Sequence, residues 1–138
     1  MIMDARPDQI AVAEDLSVVA EVGPDALKPV ATARLTTDCE RHIHAISLLT
    51  LDEVEPLRGH AVEVWVQGDR DKSEWLRIAK VVTGGAGVAV LAPPLLMGAG
   101  CVAEVRAKVT EMLDDEEVQF VLHGTAVRFL KDLKERRT

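Results

Sequence analysis

Three closely spaced glycines in the segment 80–92, KVVTGGAGVAVLA, could form a phosphate-binding loop. Such a loop needs a lysine and a serine or threonine directly after its glycines, and it must open a helix whose N-terminus faces the anion. Here Gly87 is followed by Val88, Ala89 and Val90, and two prolines follow soon afterwards, so a helix is disfavoured. The dinucleotide-binding fingerprint is excluded for the same reason. The segment instead predicts a strand, a glycine turn and a second strand.

Histidine and cysteine side chains offer a second kind of chemistry. His42 and His44 would share one face of a strand, with Cys39 nearby, and such a spacing occurs in metal sites. The chain has no second ligand cluster, because His60 and His123 lie apart in the sequence. No motif flanks a serine or cysteine to mark a nucleophile. We therefore predict no metal site, no catalytic residues and no enzymatic activity.

Length and composition indicate one cytoplasmic domain. The chain has 138 residues, of which 48% are hydrophobic but only 3% aromatic, so its core should consist of valine, leucine, alanine and isoleucine. Its net charge of −7 argues against binding to a nucleic acid polymer or an anionic membrane surface. No apolar run reaches the roughly 20 residues of a membrane span, and the start carries acids where a signal peptide has lysines. Cys39 and Cys101 lack CxxC spacing and are expected to be buried thiols.

Alternation of apolar and polar residues predicts mainly β-strands. The clearest pair is 60–68 and 74–82, which should form a hairpin about the turn 68–73. Segment 40–51 fits both the helical and the strand period, and we favour a strand. Further strands are predicted at 16–22, 30–37, 101–113 and 118–129, and a short helix at 129–138. We expect a flexible N-terminus over 1–15, an extension of strands packed on a barrel over 16–53, and the barrel with its helix over 54–138.

The segment 80–105 resembles the middle of a PilZ domain, a small bacterial barrel known as a receptor for cyclic di-GMP. The likeness lies in a strand, a double glycine, a strand and a proline-bearing loop. VRAKVTEML at 105–113 is similar to a later strand of that family, and HGTAVRFLKDL at 123–133 resembles its closing strand and helix. The resemblance implies an all-β fold: an antiparallel six-stranded β-barrel with a short C-terminal helix.

The resemblance also identifies candidate ligand-binding residues. PilZ domains hold the nucleotide with an Arg-x-x-x-Arg pair and an Asp-x-Ser-x-x-Gly motif, because guanidinium groups bind phosphate and guanine edges bidentately. Aligning the double glycine places Arg58 at the second arginine and Val54 at the first. Lys80 then replaces the aspartate, Val82 replaces the serine, and Gly85 is retained. Each lost charge-assisted bond removes about 1.5–3 kcal/mol, whereas micromolar binding needs only about 8 kcal/mol in total.

The sequence therefore predicts a non-enzymatic bacterial regulatory or adaptor module of PilZ type, with a degenerate cyclic di-GMP site, acting through protein–protein contact. Leu95, Leu96 and Met97 form an apolar group on a predicted loop that could contact a partner, or could cap the core of the barrel. Two alternatives stay open. One is a functional cyclic di-GMP receptor in which Arg34 or Arg41 supplies the missing contact, and the other is a structural barrel within a larger assembly.

Overall fold

The computed structural model describes residues 8–22, 30–68, 71–108 and 117–131, and these residues form an almost entirely β structure. The strands are β1 (Gln9–Ala13), β2 (Leu16–Val22), β3 (Val30–Thr36), β4 (Arg41–Thr50), β5 (Ala61–Gln67), β6 (Trp75–Val82), β7 (Val88–Met97), β8 (Val102–Lys108) and β9 (Val118–Phe129). All pairings between them are antiparallel. The predicted fold class, an antiparallel β-barrel, is confirmed.

The strand order around the barrel is β6-β5-β8-β3-β2-β9-β4-β7, with β1 added beside β2 on β9. The two end strands, β6 and β7, are joined by the glycine turn at residues 84–87. In the described part of the chain, β6 pairs only with β5 and β7 pairs only with β4. The described strands therefore leave a gap in the ring between β6 and β7, which is called the seam below.

The ring is larger than the six strands implied by the PilZ resemblance, because β2, β3 and β4 form part of its wall. β8 pairs with β3 and β5, whereas β9 pairs with β1, β2 and β4. The strands after residue 54 thus have no continuous hydrogen bonding without those before it. Residues 16–53, expected to pack on a barrel, supply three of its strands.

Two terminal features differ from expectation. Strand β1 lies within the segment 1–15 that was expected to be flexible. It forms because β9 continues past Leu122, the partner of the first residue of β2, and offers a free edge from Thr125 to Phe129. At the other terminus, Leu130 and Lys131 are helical, and they are the last described residues. The predicted helix over 129–138 otherwise lies outside the described residues.

Small and large side chains alternate around the barrel interior. Strands β3 and β8 face the core with pairs such as Ala31 and Ala107, whereas β4 and β9 contribute Ile46, Leu48 and Phe120. Small residues on one wall leave room for large residues from another, which allows a narrow barrel to fill its interior. The predicted aliphatic core is present, and the buried Phe120 is its largest side chain.

Strand β7 runs straight through a segment that was predicted to be a loop. It spans Val88–Met97 and includes Pro93 and Pro94, where its pairing with β4 is interrupted between Val90 and Leu95. Proline cannot donate to a sheet, so it is tolerated at edges and bulges. Because β7 is an end strand with such an irregularity, the two prolines do not end it.

The pairing of β4 with β9 depends on Gly124. The register shifts at this point, so that Ile43 faces Gly124 and Ala45 faces His123, which leaves His44 as an extra residue. A Cβ atom on Gly124 would overlap the carbonyl oxygen of His42. Only glycine permits this close approach of two central strands.

We predict that Gly124→Ala destabilises the protein by about 3 kcal/mol, because the added methyl group forces β4 and β9 apart. Gly85→Ala is the matched control, since nothing lies within 4 Å of the added carbon. That control should change stability by less than about 1 kcal/mol. Urea unfolding followed by circular dichroism measures both, and equal stability of the two variants would contradict the strand contact.

Candidate functional site

The glycine turn lies in close contact with the backbone at Pro56. The amide of Gly87 donates to the carbonyl of Gly84 at 2.9 Å, which closes a four-residue turn. Gly87 has a φ of 70°, and a Cβ there would approach Pro56 to 2.7 Å. Glycine is therefore required at this position both by conformation and by space.

Hydrogen bonds of Thr83 connect the segment before β5 to this turn. Its hydroxyl donates to the carbonyl of Leu57 at 2.8 Å and accepts from the amide of His60 at 3.0 Å. The amide of Gly59 donates to the carbonyl of Thr83 at 2.8 Å. These bonds bring the backbone around Arg58 beside the turn that contains Gly85.

All three residues that the PilZ resemblance assigned to a ligand are exposed. Arg58 and Gly85 are exposed on adjacent segments. Lys80 lies on β6, opposite Glu63 of β5, and faces away from the core, since its neighbour Val81 pairs with the buried Val62. The structure thus brings the segments of Arg58 and Gly85 together and pairs Lys80 in register with an acidic residue.

The three apolar residues at the end of β7 have different environments. Met97 is buried and Leu95 packs against the core cluster, as in the interpretation that these residues cap the barrel. Leu96 points outward and is 62% exposed. Of the predicted contact group, Leu96 is therefore the residue with a free surface.

Leu96 borders an open groove of about 440 Å³ at the seam of the barrel. The strands β6 and β7 are close at the glycine turn, and the groove lies at the far end of the seam. Leu76 and Ile78 of β6 face it and are 51% and 39% exposed. The described lining residues carry no charge; they are Val66, Gln67, Gly68, Leu76, Ile78, Leu96, Gly98, Ala99, Gly100 and Cys101.

A hydrogen-bond network fixes the wall of the groove formed by residues 98–101. The buried hydroxyl of Thr37 donates to the carbonyl of Gly98 at 2.6 Å and accepts from the amide of Cys101 at 3.1 Å. The amide of Gly100 donates to the carbonyl of Thr37 at 2.8 Å. The groove therefore has a preformed wall, which reduces the entropy lost when a ligand binds.

The outer face of the β6–β5–β8–β3 sheet carries stacked arginine and tryptophan side chains. The guanidinium of Arg106 lies 4.5 Å from the ring centre of Trp65, and that of Arg34 lies 4.9 Å from Trp75. Both arginines contact the carboxylate of Glu104, at 2.5 and 3.1 Å. Burial alone would raise the pKa of Glu104, but hydrogen bonds from the two arginines outweigh it and leave that pKa below its ordinary value. This cluster was not predicted from the sequence, although the alternation in β5 and β8 places Trp65, Glu104 and Arg106 on one face.

A second charged network links β4, β9, the β1–β2 connection and the β3–β4 turn. Arg41, buried on β4, donates to Glu14 at 3.0 Å and to Asp38 at 3.1 Å. Arg128 of β9 bonds the same two carboxylates. Hydrogen bonds from Arg128 are the main cause that lowers the pKa values of Glu14 and Asp38, and those from Arg41 add to the effect. Desolvation raises the pKa of the neighbouring Cys39, which is therefore a poor nucleophile.

The two histidines considered as metal ligands have different surroundings in the structure. His44 is the exposed extra residue of β4, and the imidazole of His42 lies 3.7 Å from the carboxylate of Glu40. Across the four described ranges, no group of three or more histidine, cysteine, aspartate or glutamate residues could hold a metal ion.

Comparison with known proteins gives no family assignment. No protein-family model matches the chain. No curated protein matches it either. Among the residues that the structure describes, no helix has the length and apolar character to cross a membrane.

The network around Arg41 and Arg128 should make stability depend on pH. The folded pKa values of Glu14 and Asp38 lie below their unfolded values of about 4, so the stabilisation is complete above about pH 5 and is lost as the pH falls further. We predict that Glu14→Gln/Asp38→Asn lowers the free energy of unfolding by about 1–3 kcal/mol at pH 7. The difference from wild type should shrink as the pH drops from 5 towards 2.

Guanidinium unfolding at several pH values measures this difference. Asp52→Asn, in an exposed turn, is the control and should behave like the wild type throughout. A difference that stays constant between pH 7 and pH 3 would show that the two carboxylates do not stabilise the fold through their charge.

Proposed function

We propose that this chain is a non-enzymatic regulatory or adaptor module of the bacterial cytoplasm that acts by binding an extended segment of another protein at its β6–β7 seam. The observation that carries the proposal is the uncharged groove bordered by Leu76, Ile78 and Leu96. Exposed apolar side chains beside an open sheet edge are typical of a surface that binds another chain.

The edge of β6 is the better pairing partner for such a segment. Strand β7 carries Pro93 and Pro94, which have no amide hydrogen to donate, whereas β6 contains no proline. A partner strand that adds to β6 would satisfy its outer backbone groups and lay alternate side chains into the groove. Leu96 would contact those side chains from the opposite rim.

Charge favours a different protein over a second copy of this chain. Each copy carries a net charge of −7, so two copies repel each other over the range of the Debye length. The described lining of the groove offers no ion pair that could offset this repulsion. The occupant should therefore be an apolar, neutral or basic segment of another protein.

The PilZ-type assignment and its degenerate nucleotide site belong to the same proposal. The small antiparallel barrel and the exposed positions of Arg58 and Gly85 beside each other support it. The replacement of three ligand-binding residues of that family by Val54, Lys80 and Val82 supports the loss of nucleotide binding.

We predict that short random peptides selected on the immobilised protein share apolar side chains at alternate positions. Ile78→Asp or Leu96→Asp should weaken their binding by about tenfold or more, because a carboxylate would be buried in an apolar contact. Biolayer interferometry with a selected peptide measures the change. Val82→Asp is the matched control, since Val82 is also 62% exposed but does not line the groove.

Equal binding by the wild type and the two groove variants would place the peptide elsewhere and overturn the proposed site. Selection of peptides without an apolar pattern would overturn the proposed partner. Light scattering at the working concentration tests the remaining alternative, because a stable oligomer would favour a structural role in an assembly.

We further predict that calorimetric titration of tens of micromolar protein with cyclic di-GMP gives no saturable heat. The missing contacts remove several kcal/mol from the roughly 8 kcal/mol that micromolar binding needs. Saturable heat that disappears in Arg58→Ala would instead establish a functional receptor.

A further inference from the structure

A carboxylate, an imidazole and a hydroxyl form a row of close polar contacts on the outer face of the sheet that contains β2, β9, β4 and β7. Oδ2 of Asp15 lies 3.1 Å from Nδ1 of His123, and Nε2 of His123 lies 2.6 Å from Oγ of Ser47. This order, with the carboxylate on Nδ1 and the hydroxyl on Nε2, is the one found in serine nucleophile triads.

Three separate elements position the row. The β4–β9 register pairs Ala45 with His123 and Ser47 with Val121, so the two polar side chains are diagonal neighbours on one face. Asp15 lies in the connection between β1 and β2. The amide of Glu14 donates to the carbonyl of Gly124 at 3.0 Å, which holds this connection beside His123.

The carboxylate favours one tautomer of the imidazole. Because Oδ2 of Asp15 lies 3.1 Å from Nδ1, its negative charge favours the tautomer of neutral His123 with the proton on Nδ1, which leaves Nε2 as an acceptor. The hydroxyl of Ser47 then donates to Nε2. His123 is thereby placed to take the proton of Ser47 when the oxygen attacks an electrophile.

The surroundings of Ser47 indicate the chemical class of that electrophile. Its register partners on the same face are Val88 of β7 and Val121 of β9, and Val90 nearby is 66% exposed. Ser47 itself is only 5% exposed, so a reactant must be small at its reacting carbon. A short apolar acyl chain could lie across the valines.

We propose that Ser47 is a nucleophilic serine that accepts a short apolar acyl group from an activated ester or thioester. Its Oγ forms a bond to the carbonyl carbon while its proton passes to Nε2 of His123. The bond from that carbon to the leaving oxygen or sulfur then breaks, and the leaving group takes the proton. The products are an acyl-serine and a free alcohol, phenol or thiol.

The reaction stops at the acyl-serine. Hydrolases stabilise the oxyanion with the amide of the residue after the nucleophile. Here that amide, of Leu48, donates to the carbonyl of Gly87 at 2.9 Å and is not available. A good leaving group allows the first acylation, but hydrolysis of the resulting ester is not accelerated. The inference adds a modification site and leaves the proposed adaptor function without enzymatic turnover.

Incubation of the full chain with p-nitrophenyl butyrate tests the proposal. We expect release of one equivalent of p-nitrophenol, a mass increase of one butyryl group, and peptide mapping to Ser47. Ser47→Ala should abolish the adduct, and His123→Gln should slow it by about 100-fold or more, the usual contribution of a general base. Ser17→Ala removes another hydroxyl from the same face and should leave the rate unchanged.

Asp15 acts as a positioning residue, and its side chain is 56% exposed, so changes there spare the core. Asp15→Asn should slow acylation by more than about tenfold, because an amide can favour the wrong tautomer of the imidazole. Asp15→Glu should largely restore the rate, while thermal unfolding stays close to wild type in both variants. These variants keep the test decisive if Ser47→Ala fails to fold.

Three results would overturn the proposal. The first is wild-type protein without an adduct at Ser47. The second is acylation confined to lysines. The third is an adduct at Ser47 that forms equally fast in His123→Gln and Asp15→Asn. None of these outcomes bears on peptide binding at the seam, so the two proposals fail independently.

Discussion

The pairing of β4 with β9 is the constraint on which the rest of the structure depends. These two central strands pair from Arg41 with Ala126 to Thr50 with Val118, and the contact is possible because Gly124 has no side chain. The same pairing sets the register of His123 against Ser47. It also brings Arg41 and Arg128 to the same two carboxylates. One backbone approach thus organises both polar clusters on this side of the barrel.

The two ends of the seam differ in structure. At the glycine turn, Thr83 and Gly87 hold the segment before β5 against the strands, and backbone bonds from Leu48 to Gly87 and from Leu57 to Leu48 continue this contact. At the opposite end, Leu76 and Leu96 border an open groove. The glycines that first suggested phosphate binding therefore close one end of the seam, and the groove at its other end is a separate feature.

Strands with one buried and one exposed face were predictable from their residues. In β5, buried Val62 and Val64 alternate with Glu63 and Trp65, and the predicted hairpin with β6 is present. The prediction for β4 was ambiguous because its residues are buried on both faces of the sheet, so that the strand lacks a period of two. Strand β1 has only five residues and forms through an edge of β9 that local sequence cannot reveal.

The candidate sites were less predictable because they depend on register. Asp15, Ser47 and His123 come from three distant parts of the chain, and a shift of one residue between β4 and β9 would turn Ser47 away from the imidazole. Likewise, Leu95 to Met97 read as one apolar group, but alternation in the strand buries Met97 and exposes Leu96. Residue types alone indicated Leu95 to Met97 as a contact surface but did not identify the row of Asp15, Ser47 and His123, because strand pairing determines which side chains meet.

The missing backbone pairing between β6 and β7 explains why the seam, rather than another part of the wall, suits the proposed partner. Arg77 and Glu63 link β6 to β5 at 3.0 Å, and Glu104 links β8 to β3 through Arg34. Among the described residues, no ion pair links β6 to β7, and apolar side chains border the opening between them. Local opening follows the boundary with the fewest interactions to break. A segment that enters at the seam therefore gains backbone bonds and apolar contacts without displacing any of the described ion pairs.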